Sequence, residues 1–454
     1  MSNHYKVAII GSGSGGREAA LLAAQKGLRT AVIERDKMGG VSFHRGCYAV
    51  RALKACAHQY RNGLRSGRFG SQTELLKATL YDWIVAQSEV SSRLAEGLER
   101  DLLDLGIEVH HGHAGFVDEG TVEVIGHRGG RCTITADNII VATGSRPAFY
   151  GSSIRRVVNS EELLSLTRLP RRLVIIGGGY IGCEFASIYR TLGCEVTVVE
   201  REARILPGWE VEAGDRVAEA LKERGVNLEV QFPVHFEQIA EQSDCVRIPG
   251  PNGQSIEADL VLVATGRKPN SNELGLEGVG IKDNSFLTVD DQMRVSNSGV
   301  YAVGDVNGIS MLDSTAFAQA YVAINAILGR ENRFDRRWIP RCIHTDPAIA
   351  AVGWTEEEAA IDGIECVVVK DTVRLISDND RSVIEPEATF VQVIIDVHTM
   401  HLVGCLVVGD HAAVIANCAA IAMRSGLGVD KLREFPLAQP SAVDALLSAL
   451  RKLG

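Results

Sequence analysis

Two glycine-rich loops, each followed at the same distance by a glutamate, are the residues of this chain best suited to chemistry. Residues 11–16 (GSGSGG) precede Glu34, and residues 177–182 (GGGYIG) precede Glu200. In both cases the glutamate lies 23 positions after the first glycine of its loop. Glycines at these spacings allow a tight turn and a close approach of the backbone to a pyrophosphate, and the acidic residue can accept hydrogen bonds from ribose hydroxyls. The two loops therefore predict two dinucleotide-binding sites.

The segments around each loop have the pattern of a strand, a turn, a helix and a second strand. Residues 6–10 and 29–33 are the predicted strands of the first unit, and residues 173–176 and 194–199 those of the second. A helix that begins at such a loop presents unpaired N–H groups and a partial positive charge to phosphates. The predicted dinucleotide contacts are Gly11, Gly13, Ser14, Gly15, Gly16 and Glu34 in the first unit and Gly177, Gly179, Tyr180, Ile181, Gly182 and Glu200 in the second.

Two Ala-Thr-Gly segments, in residues 141–147 and 263–270, end strands that leave these units. Since the second glycine loop lies between them, the second unit is predicted to be a domain inserted into the first. The expected fold class is α/β, with two Rossmann-type domains and a C-terminal α+β domain for packing or dimerisation. The expected ranges are 1–149 and 271–345 for the first domain, 150–270 for the inserted domain and 346–454 for the C-terminal domain.

Composition excludes several classes of partner. The chain has 454 residues, enough for two to four domains, and its net charge of -10 gives no broad basic surface for nucleic acid or an anionic membrane. A small molecule or a partner protein remains. The apolar runs are too short for a spanning helix, and the N-terminus leaves no room for a signal peptide. The ten cysteines are scattered without Cys-x-x-Cys pairs, which favours a cytoplasmic location and no metal site.

These motifs resemble the class I pyridine nucleotide-disulfide oxidoreductases, the group that includes dihydrolipoamide dehydrogenase, mercuric reductase and soluble transhydrogenase. The resemblance covers essentially the whole chain and includes the Gly-Asp pair at 304–305 and the segment 345–355. It implies that the first unit binds FAD, that the inserted unit binds NADH or NADPH, and that the C-terminal domain forms a homodimer. The further cofactor contacts that it implies are Gly40, Val41, Arg51, Thr143, Gly144, Gly304 and Asp305 for FAD and Gly266 for NAD.

The redox segment departs from the family pattern. The family has two cysteines separated by four residues; here Ser42 takes the outer, substrate-facing position and Cys47 the inner, flavin-facing one. No disulfide can form between them. Arg51 replaces a lysine beside the flavin, and its expected partner is Glu184. An arginine at this place is always charged and need not tune the flavin as a lysine does.

The C-terminus departs as well. The family's His-Glu dyad, an acid and base that reaches the partner subunit's active site, corresponds here to Gln439 and Asp444. An amide cannot exchange protons near neutral pH. Two parts needed for dithiol–disulfide exchange, the interchange thiol and its base, are therefore missing.

Several residues keep two interpretations. Cys47 is expected at a helix N-terminus near Arg51, which favours its thiolate, and it is either a charge-transfer or single-cysteine redox centre or an inert relic. His44 is either a base beside the redox segment or a solvated loop residue. Tyr180 is either a gate for nicotinamide over the flavin or a core aromatic at the start of a helix.

The leading functional hypothesis is an FAD-dependent oxidoreductase that takes hydride from NADH and reduces a small-molecule acceptor other than a disulfide. NADPH is less favoured because Glu200 would repel a 2′-phosphate. A second hypothesis is a lipoamide dehydrogenase-like flavoprotein that has lost catalysis and acts as a binding partner of another protein. The third is a working dihydrolipoyl dehydrogenase despite Ser42 and Gln439.

Overall fold

A computed structural model describes residues 4–66, 80–149, 153–281, 285–295, 299–374, 388–438 and 441–453. The fold has two α/β layers, each built on one large sheet, followed by an α+β region with a third large sheet at the C-terminus, and the predicted fold class is confirmed.

The first layer is built from a sheet that begins with the N-terminal strand. Parallel pairing joins β1 to both β2 and β5, β2 to β3, and β5 to β16, while β4 connects β3 and β5 in antiparallel register. Residues 7–10 of β1 and all of β2 are buried, and most of them are apolar, as expected for a parallel sheet covered on both faces. The elements are β1 (His4–Ile10), α1 (Ser14–Gln25), β2 (Thr30–Glu34), α2 (Gly40–His44), α3 (Cys47–Ser66), α4 (Leu80–Asp104), β3 (Glu108–Asp118), β4 (Thr121–Gly126), β5 (Arg131–Val141), β6 (Ser145–Pro147), β16 (Val300–Ala302) and α8 (Asp313–Ile327).

The second layer is a separate five-stranded sheet with the order β10-β9-β8-β14-β7, and all of its pairs are parallel. Its turn from β8 to α6 carries the second glycine loop. Strands β6 and β15 pair antiparallel, so the chain leaves and re-enters the first layer side by side. The elements are β7 (Val157–Asn159), α5 (Ser160–Leu163), β8 (Arg172–Ile176), α6 (Tyr180–Thr191), β9 (Glu195–Val199), α7 (Val211–Glu223), β10 (Asn227–Glu229), β11 (Ala240–Glu241), β12 (Val246–Pro249), β13 (Ser255–Ala258), β14 (Leu260–Val263) and β15 (Arg267–Pro269).

The C-terminal region is an antiparallel sheet with the order β17-β18-β21-β20-β19, covered by helices. Alternate residues of β18, β20 and β21 pack against the buried alanines of α10 and the leucines of α12. The elements are β17 (Arg341–Ile343), β18 (Ile349–Gly353), α9 (Glu356–Ile361), β19 (Cys366–Arg374), β20 (Ala388–Asp396), β21 (Leu402–Val408), α10 (Ala412–Arg424), α11 (Val429–Arg433) and α12 (Asp444–Arg451).

Within the described ranges, no helix is long and apolar enough to cross a membrane. In the same part of the chain, no group of three or more His, Cys, Asp or Glu side chains is arranged to hold a metal ion.

Candidate active site

The first glycine loop has the geometry that a pyrophosphate requires. Gly11 has a φ of +102°, and a Cβ at this position would lie 2.5 Å from the Ala142 carbonyl oxygen. A Cβ at Gly16 would overlap the carbonyl oxygen of Gly11, so helix α1 and the loop can pack this closely only without a side chain there. Gly13 has open space in front of its Cα. The N-terminus of α1 is therefore accessible to a phosphate at the point where its N–H groups are unpaired.

Glu34 is held at the end of β2 by the same loop. One carboxylate oxygen accepts hydrogen bonds from the Ser12 N–H at 2.8 Å and the Ser12 hydroxyl at 2.6 Å, and the other accepts from the Asp36 N–H at 2.8 Å. A carboxylate offers about four lone-pair sites, so one acceptor site remains for a ribose hydroxyl. The side chain is buried, and these contacts fix its direction.

The second loop repeats this geometry. Gly177 has a φ of +110°, and a Cβ at Gly182 would overlap the Gly177 carbonyl oxygen. Glu200 accepts hydrogen bonds from the Gly178 N–H at 2.6 Å and the Glu202 N–H at 2.9 Å, one on each oxygen. Two acceptor sites therefore remain on Glu200, enough for two ribose hydroxyls.

A cavity of about 610 Å³ extends from the first loop to the start of α3 and α6. This volume lies within the usual range of cofactor and ligand pockets. The second loop's glycines and Glu200 are not part of its wall, whereas Tyr180 and Ile181 at the start of α6 are. The predicted site residues that line it are Gly11, Gly13, Ser14, Gly15, Glu34, Gly40, Val41, Ser42, Cys47, Arg51, Thr143, Gly144, Tyr180, Ile181, Glu184, Gly304 and Asp305.

The wall of this cavity fits the FAD that the resemblance implies. The glycine loop is open to a phosphate, Glu34 keeps an acceptor for a ribose, and Asp305 also lines the cavity. Asp305 accepts a hydrogen bond of 2.5 Å from the Ser145 hydroxyl, and Arg267 lies 3.9 Å from the same oxygen. Burial raises the pKa of Asp305, while the bond from Ser145 opposes this rise.

Cys47 begins helix α3, as predicted, but its surroundings disfavour the thiolate. The residue is solvent-exposed because it lines the open cavity, but the protein atoms around it still desolvate the thiol, and this desolvation is the largest cause that raises its pKa. The charges of Asp313, Glu184 and Asp305 raise it further. Burial, and after it the charges of these three carboxylates, therefore oppose the thiolate that the helix N-terminus and Arg51 were expected to favour.

Ser42 is buried and donates a hydrogen bond of 2.7 Å to Asp313. Asp313 also accepts a bond of 2.6 Å from the Ser14 hydroxyl of the first glycine loop. Asp313 was not among the predicted site residues, because it is 271 positions from Ser42 in the chain and belongs to no local motif.

The expected Arg51–Glu184 ion pair is absent, although both side chains line the cavity and both belong to the described part of the chain. Glu184 instead accepts a hydrogen bond of 2.6 Å from the His344 N–H. Burial raises the pKa of Glu184, and the charges of Lys54 and Arg51 oppose this. Lys54, one turn beyond Arg51, donates to the Thr345 carbonyl at 2.7 Å, and burial lowers its pKa. Lys54 is thus a cation near Glu184 that sequence reasoning missed.

Cys342 and His344 were also missed. Both line the cavity, and the Cys342 sulfur lies 3.9 Å from Nδ1 of His344. Burial raises the pKa of Cys342 to about 12 and lowers the pKa of His344 to about 4, so both groups are neutral near pH 7. They lie on β17 and just beyond it, and their alternation with Ile343 along an extended segment was the signal that could have indicated a common face.

The remaining predicted site residues lie in different parts of the structure. Tyr180 begins α6 and faces the cavity, and burial, followed by the charge of Asp305, raises its pKa. His44 makes a 3.0 Å hydrogen bond with the Met38 carbonyl and burial lowers its pKa. Gln439 lies outside the described residues. Asp444 begins α12 and accepts a bond of 3.2 Å from the Ser441 N–H.

Comparison with known proteins agrees with this architecture. The family model of pyridine nucleotide-disulphide oxidoreductases matches residues 5–325, and the model of their dimerisation domain matches residues 339–450. Dihydrolipoyl dehydrogenase 2 of Haloarcula marismortui is 33% identical over 97% of this chain and 95% of its own length. Dihydrolipoyl dehydrogenase of Geobacillus stearothermophilus is 32% identical over 97% and 94%.

Two solved structures show the same fold over the whole chain. LpdA from Mycobacterium tuberculosis has a TM-score of 0.90 and 26% identity, covering 99% of both chains. The HOCl-induced flavoprotein disulfide reductase RclA from Escherichia coli has a TM-score of 0.85 and 26% identity, covering 99% of this chain and 100% of its own. The chain therefore belongs to the pyridine nucleotide-disulphide oxidoreductase family and is an NAD(P)H-dependent flavoprotein oxidoreductase related to dihydrolipoyl dehydrogenase.

Proposed function

We propose that this protein takes hydride from NADH and passes the electrons to a small-molecule acceptor that is not a disulfide. The observation that carries the proposal is the Ser42 hydroxyl, which is bonded to Asp313 in the segment where the family pattern has its outer cysteine. Dithiol exchange needs one sulfur to meet the substrate and another to pass the electrons on. Cys47 alone cannot form the intervening disulfide with Ser42.

The residues of the first domain would hold FAD, which when bound accepts hydride and releases electrons. The N-terminus of α1 would bind the pyrophosphate, Glu34 would accept from the adenosine ribose, and Asp305 would accept from a ribityl hydroxyl. Tyr180 would cover the nicotinamide side of the cavity. Cys47 would remain a neutral thiol in the resting protein because its pKa is raised.

The preference for NADH rests on the surroundings of Glu200. This buried carboxylate is oriented by two hydrogen bonds, one from the Gly178 N–H of the second glycine loop and one from the Glu202 N–H two residues farther along the chain. The two nearby arginines are already engaged: Arg201 pairs with Glu202 at 3.0 Å, and Arg204 donates to the backbone carbonyls of the segment 206–209. A 2′-phosphate would therefore be repelled by the negative Glu200, because both nearby arginines are already bound to other groups.

The proposed assembly is a homodimer through the C-terminal domain. Val414 and Ile421 are exposed by 48% and 66% and lie seven residues apart, on one face of α10. Phe435, 56% exposed, follows α11 in the same region. These apolar side chains would be covered by a second copy of the chain.

The proposal is tested by mixing the FAD-loaded protein with NADH in the absence of oxygen and following the flavin absorbance. The reduced protein is then offered oxygen, a quinone, a peroxide, a sulfur compound or a second nicotinamide nucleotide. We expect rapid reduction by NADH and rapid reoxidation by at least one of these acceptors, with dihydrolipoamide oxidised slowly or not at all. Failure of NADH to reduce the flavin would instead favour a binding role without catalysis.

A further inference from the structure

Asp313 connects the redox segment to the first glycine loop. It is the first residue of α8, and its two oxygens accept separate hydrogen bonds, from Ser14 at 2.6 Å and from Ser42 at 2.7 Å. Cys47 is a third neighbour, since the Asp313 charge and a hydrogen bond to Asp313 both raise the pKa of its thiol. All four side chains line the same cavity.

The groups that face Asp313 leave its charge without a salt-bridge partner. Cys47 faces it from α3, and Asp305 faces it from the turn after β16. From α1, the guanidinium of Arg17 lies 5.1 Å from the ring of Phe317, one turn along α8, and 4.6 Å from the ring of Phe43. Among the residues that the structure describes, none forms an ion pair with Asp313. A carboxylate that is hydrogen-bonded by hydroxyls and not neutralised by a cation can exchange protons through them.

We propose that Asp313, acting through the Ser42 hydroxyl, supplies the proton that a two-electron acceptor takes up together with its electrons. This inference rests on the proposed function and deepens it. In the family pattern the missing base is a histidine of the C-terminal segment; here the proton would come from α8 of the first domain. Asp313 is a positioning residue in this scheme, because Ser42 makes the contact with the acceptor.

The reaction balances with NADH as the reductant. The acceptor gains two electrons and two protons, and NADH becomes NAD⁺. One proton arrives with the hydride that leaves NADH. The second comes from water: the Asp313 carboxylate first takes up a proton and then passes it to the Ser42 oxygen while the Ser42 hydroxyl proton moves to the acceptor, which leaves Asp313 as a carboxylate again.

The test compares an acceptor that needs protons with one that does not. A water-soluble benzoquinone takes up two protons when it is reduced, whereas ferricyanide takes up electrons alone. Asp313→Asn should slow benzoquinone reduction by about 10²–10⁴-fold, the usual contribution of a positioned acid or base. The same variant should keep its rate of flavin reduction by NADH, and of ferricyanide reduction, within about threefold. Equal slowing of both acceptors would overturn the proposal, because it would indicate a general structural defect.

Three further variants separate the relay from a folding effect. Ser42→Ala leaves the Ser14–Asp313 bond in place and should slow benzoquinone reduction like Asp313→Asn; an unchanged rate would overturn the proposal. Asp313→Glu keeps the carboxyl and should recover a large part of the rate. Asp371→Asn is the control for loss of a buried carboxylate elsewhere, since Asp371 accepts a 2.7 Å bond from Ser448, pairs with Lys452 and is not among the residues that line the cavity. It should leave the ratio of the two rates unchanged.

An independent readout is the reactivity of Cys47 itself. The rate at which iodoacetamide alkylates Cys47, followed by mass spectrometry of its peptide, should rise at a lower pH in Asp313→Asn than in the unmodified protein. The sign follows because removal of a neighbouring negative charge favours the thiolate. An unshifted alkylation profile would place Asp313 too far from the redox centre to act. If NADH does not reduce the flavin of the unmodified protein, the proposed function fails. The alkylation experiment still tests the contact between Asp313 and Cys47 in that case.

Discussion

Replacement of Glu200 by glutamine should change which nicotinamide nucleotide the protein uses. The carboxylate has two acceptor sites left after its bonds to the Gly178 and Glu202 N–H groups. Glutamine keeps one oxygen, and its NH2 group would face one of the two backbone N–H groups, so we expect the loss of at least one bond between a charged acceptor and a ribose hydroxyl, worth about 1.5–3 kcal/mol. This corresponds to about a 10- to 100-fold weaker binding of NADH.

NADPH should gain from the same substitution. A 2′-phosphate about 5 Å from Glu200, at an effective dielectric constant of about 20, would be repelled by about 3 kcal/mol for each pair of unit charges. Removal of the charge should therefore raise the affinity for NADPH relative to NADH by about 100-fold or more.

The assay is the rate of flavin reduction in stopped flow as a function of NADH and NADPH concentration, which gives a dissociation constant for each. Glu195→Gln is the control, because Glu195 is an exposed carboxylate at the start of β9, the strand that leads to Glu200, and pairs with Arg171 at 3.3 Å, and it should leave the ratio of the two constants within about threefold. If the unmodified protein prefers NADPH, or if Glu200→Gln leaves the ratio unchanged, then Glu200 does not face the ribose and the reasoning from its lone pairs is wrong.

Three other predictions concern stability, redox chemistry and assembly. Burial alone would raise the pKa of Asp346, but hydrogen bonds from His58 and Arg224 hold it well below its usual range. This carboxylate therefore stabilises the fold above about pH 4, and the stabilisation is lost as the pH falls through the folded-state pKa. Asp346→Asn should lower stability at pH 7 by about 3–5 kcal/mol, and this difference, measured by urea unfolding, should shrink toward pH 2; a constant difference would contradict the assignment. Ser42→Cys should allow a disulfide with Cys47, detected by thiol counting before and after reduction, yet give little dihydrolipoamide turnover, and full dehydrogenase activity would show that no separate base is needed. Light scattering should give twice the chain mass of 49.0 kDa, and a monomer at working concentration would remove the case for a site shared between subunits.

Local patterns predicted the dinucleotide loops because each depends on residues within one strand-turn-helix-strand segment. Gly11 and Gly177 both have positive φ, and both acidic residues receive N–H groups from their own loops. The predicted start of a helix at Cys47 is also observed.

The chemistry around Cys47 was beyond such patterns, because it depends on residues that are distant in sequence. Burial of the thiol is the largest cause that raises its pKa, and the charge of Asp313, which comes from α8, raises it further. Lys54 lies on the same helix as Arg51, but its burial and its contact with the segment after β17 become visible only when the C-terminal domain packs against α3. Motif comparison placed Arg51 beside Glu184, whereas the structure gives that carboxylate a backbone donor at His344.

The account depends most directly on how many electrons the protein accepts. A disulfide and a flavin each take two electrons, so a family member with a redox-active cysteine pair takes up two NADH per FAD, whereas a single-thiol centre takes up one. Anaerobic titration of the FAD-loaded protein with NADH, followed by the flavin absorbance, measures this number. We predict complete bleaching of the flavin at one NADH per FAD. An endpoint at two NADH per FAD would contradict the account, because it would require another pair of thiols in electronic contact with the flavin.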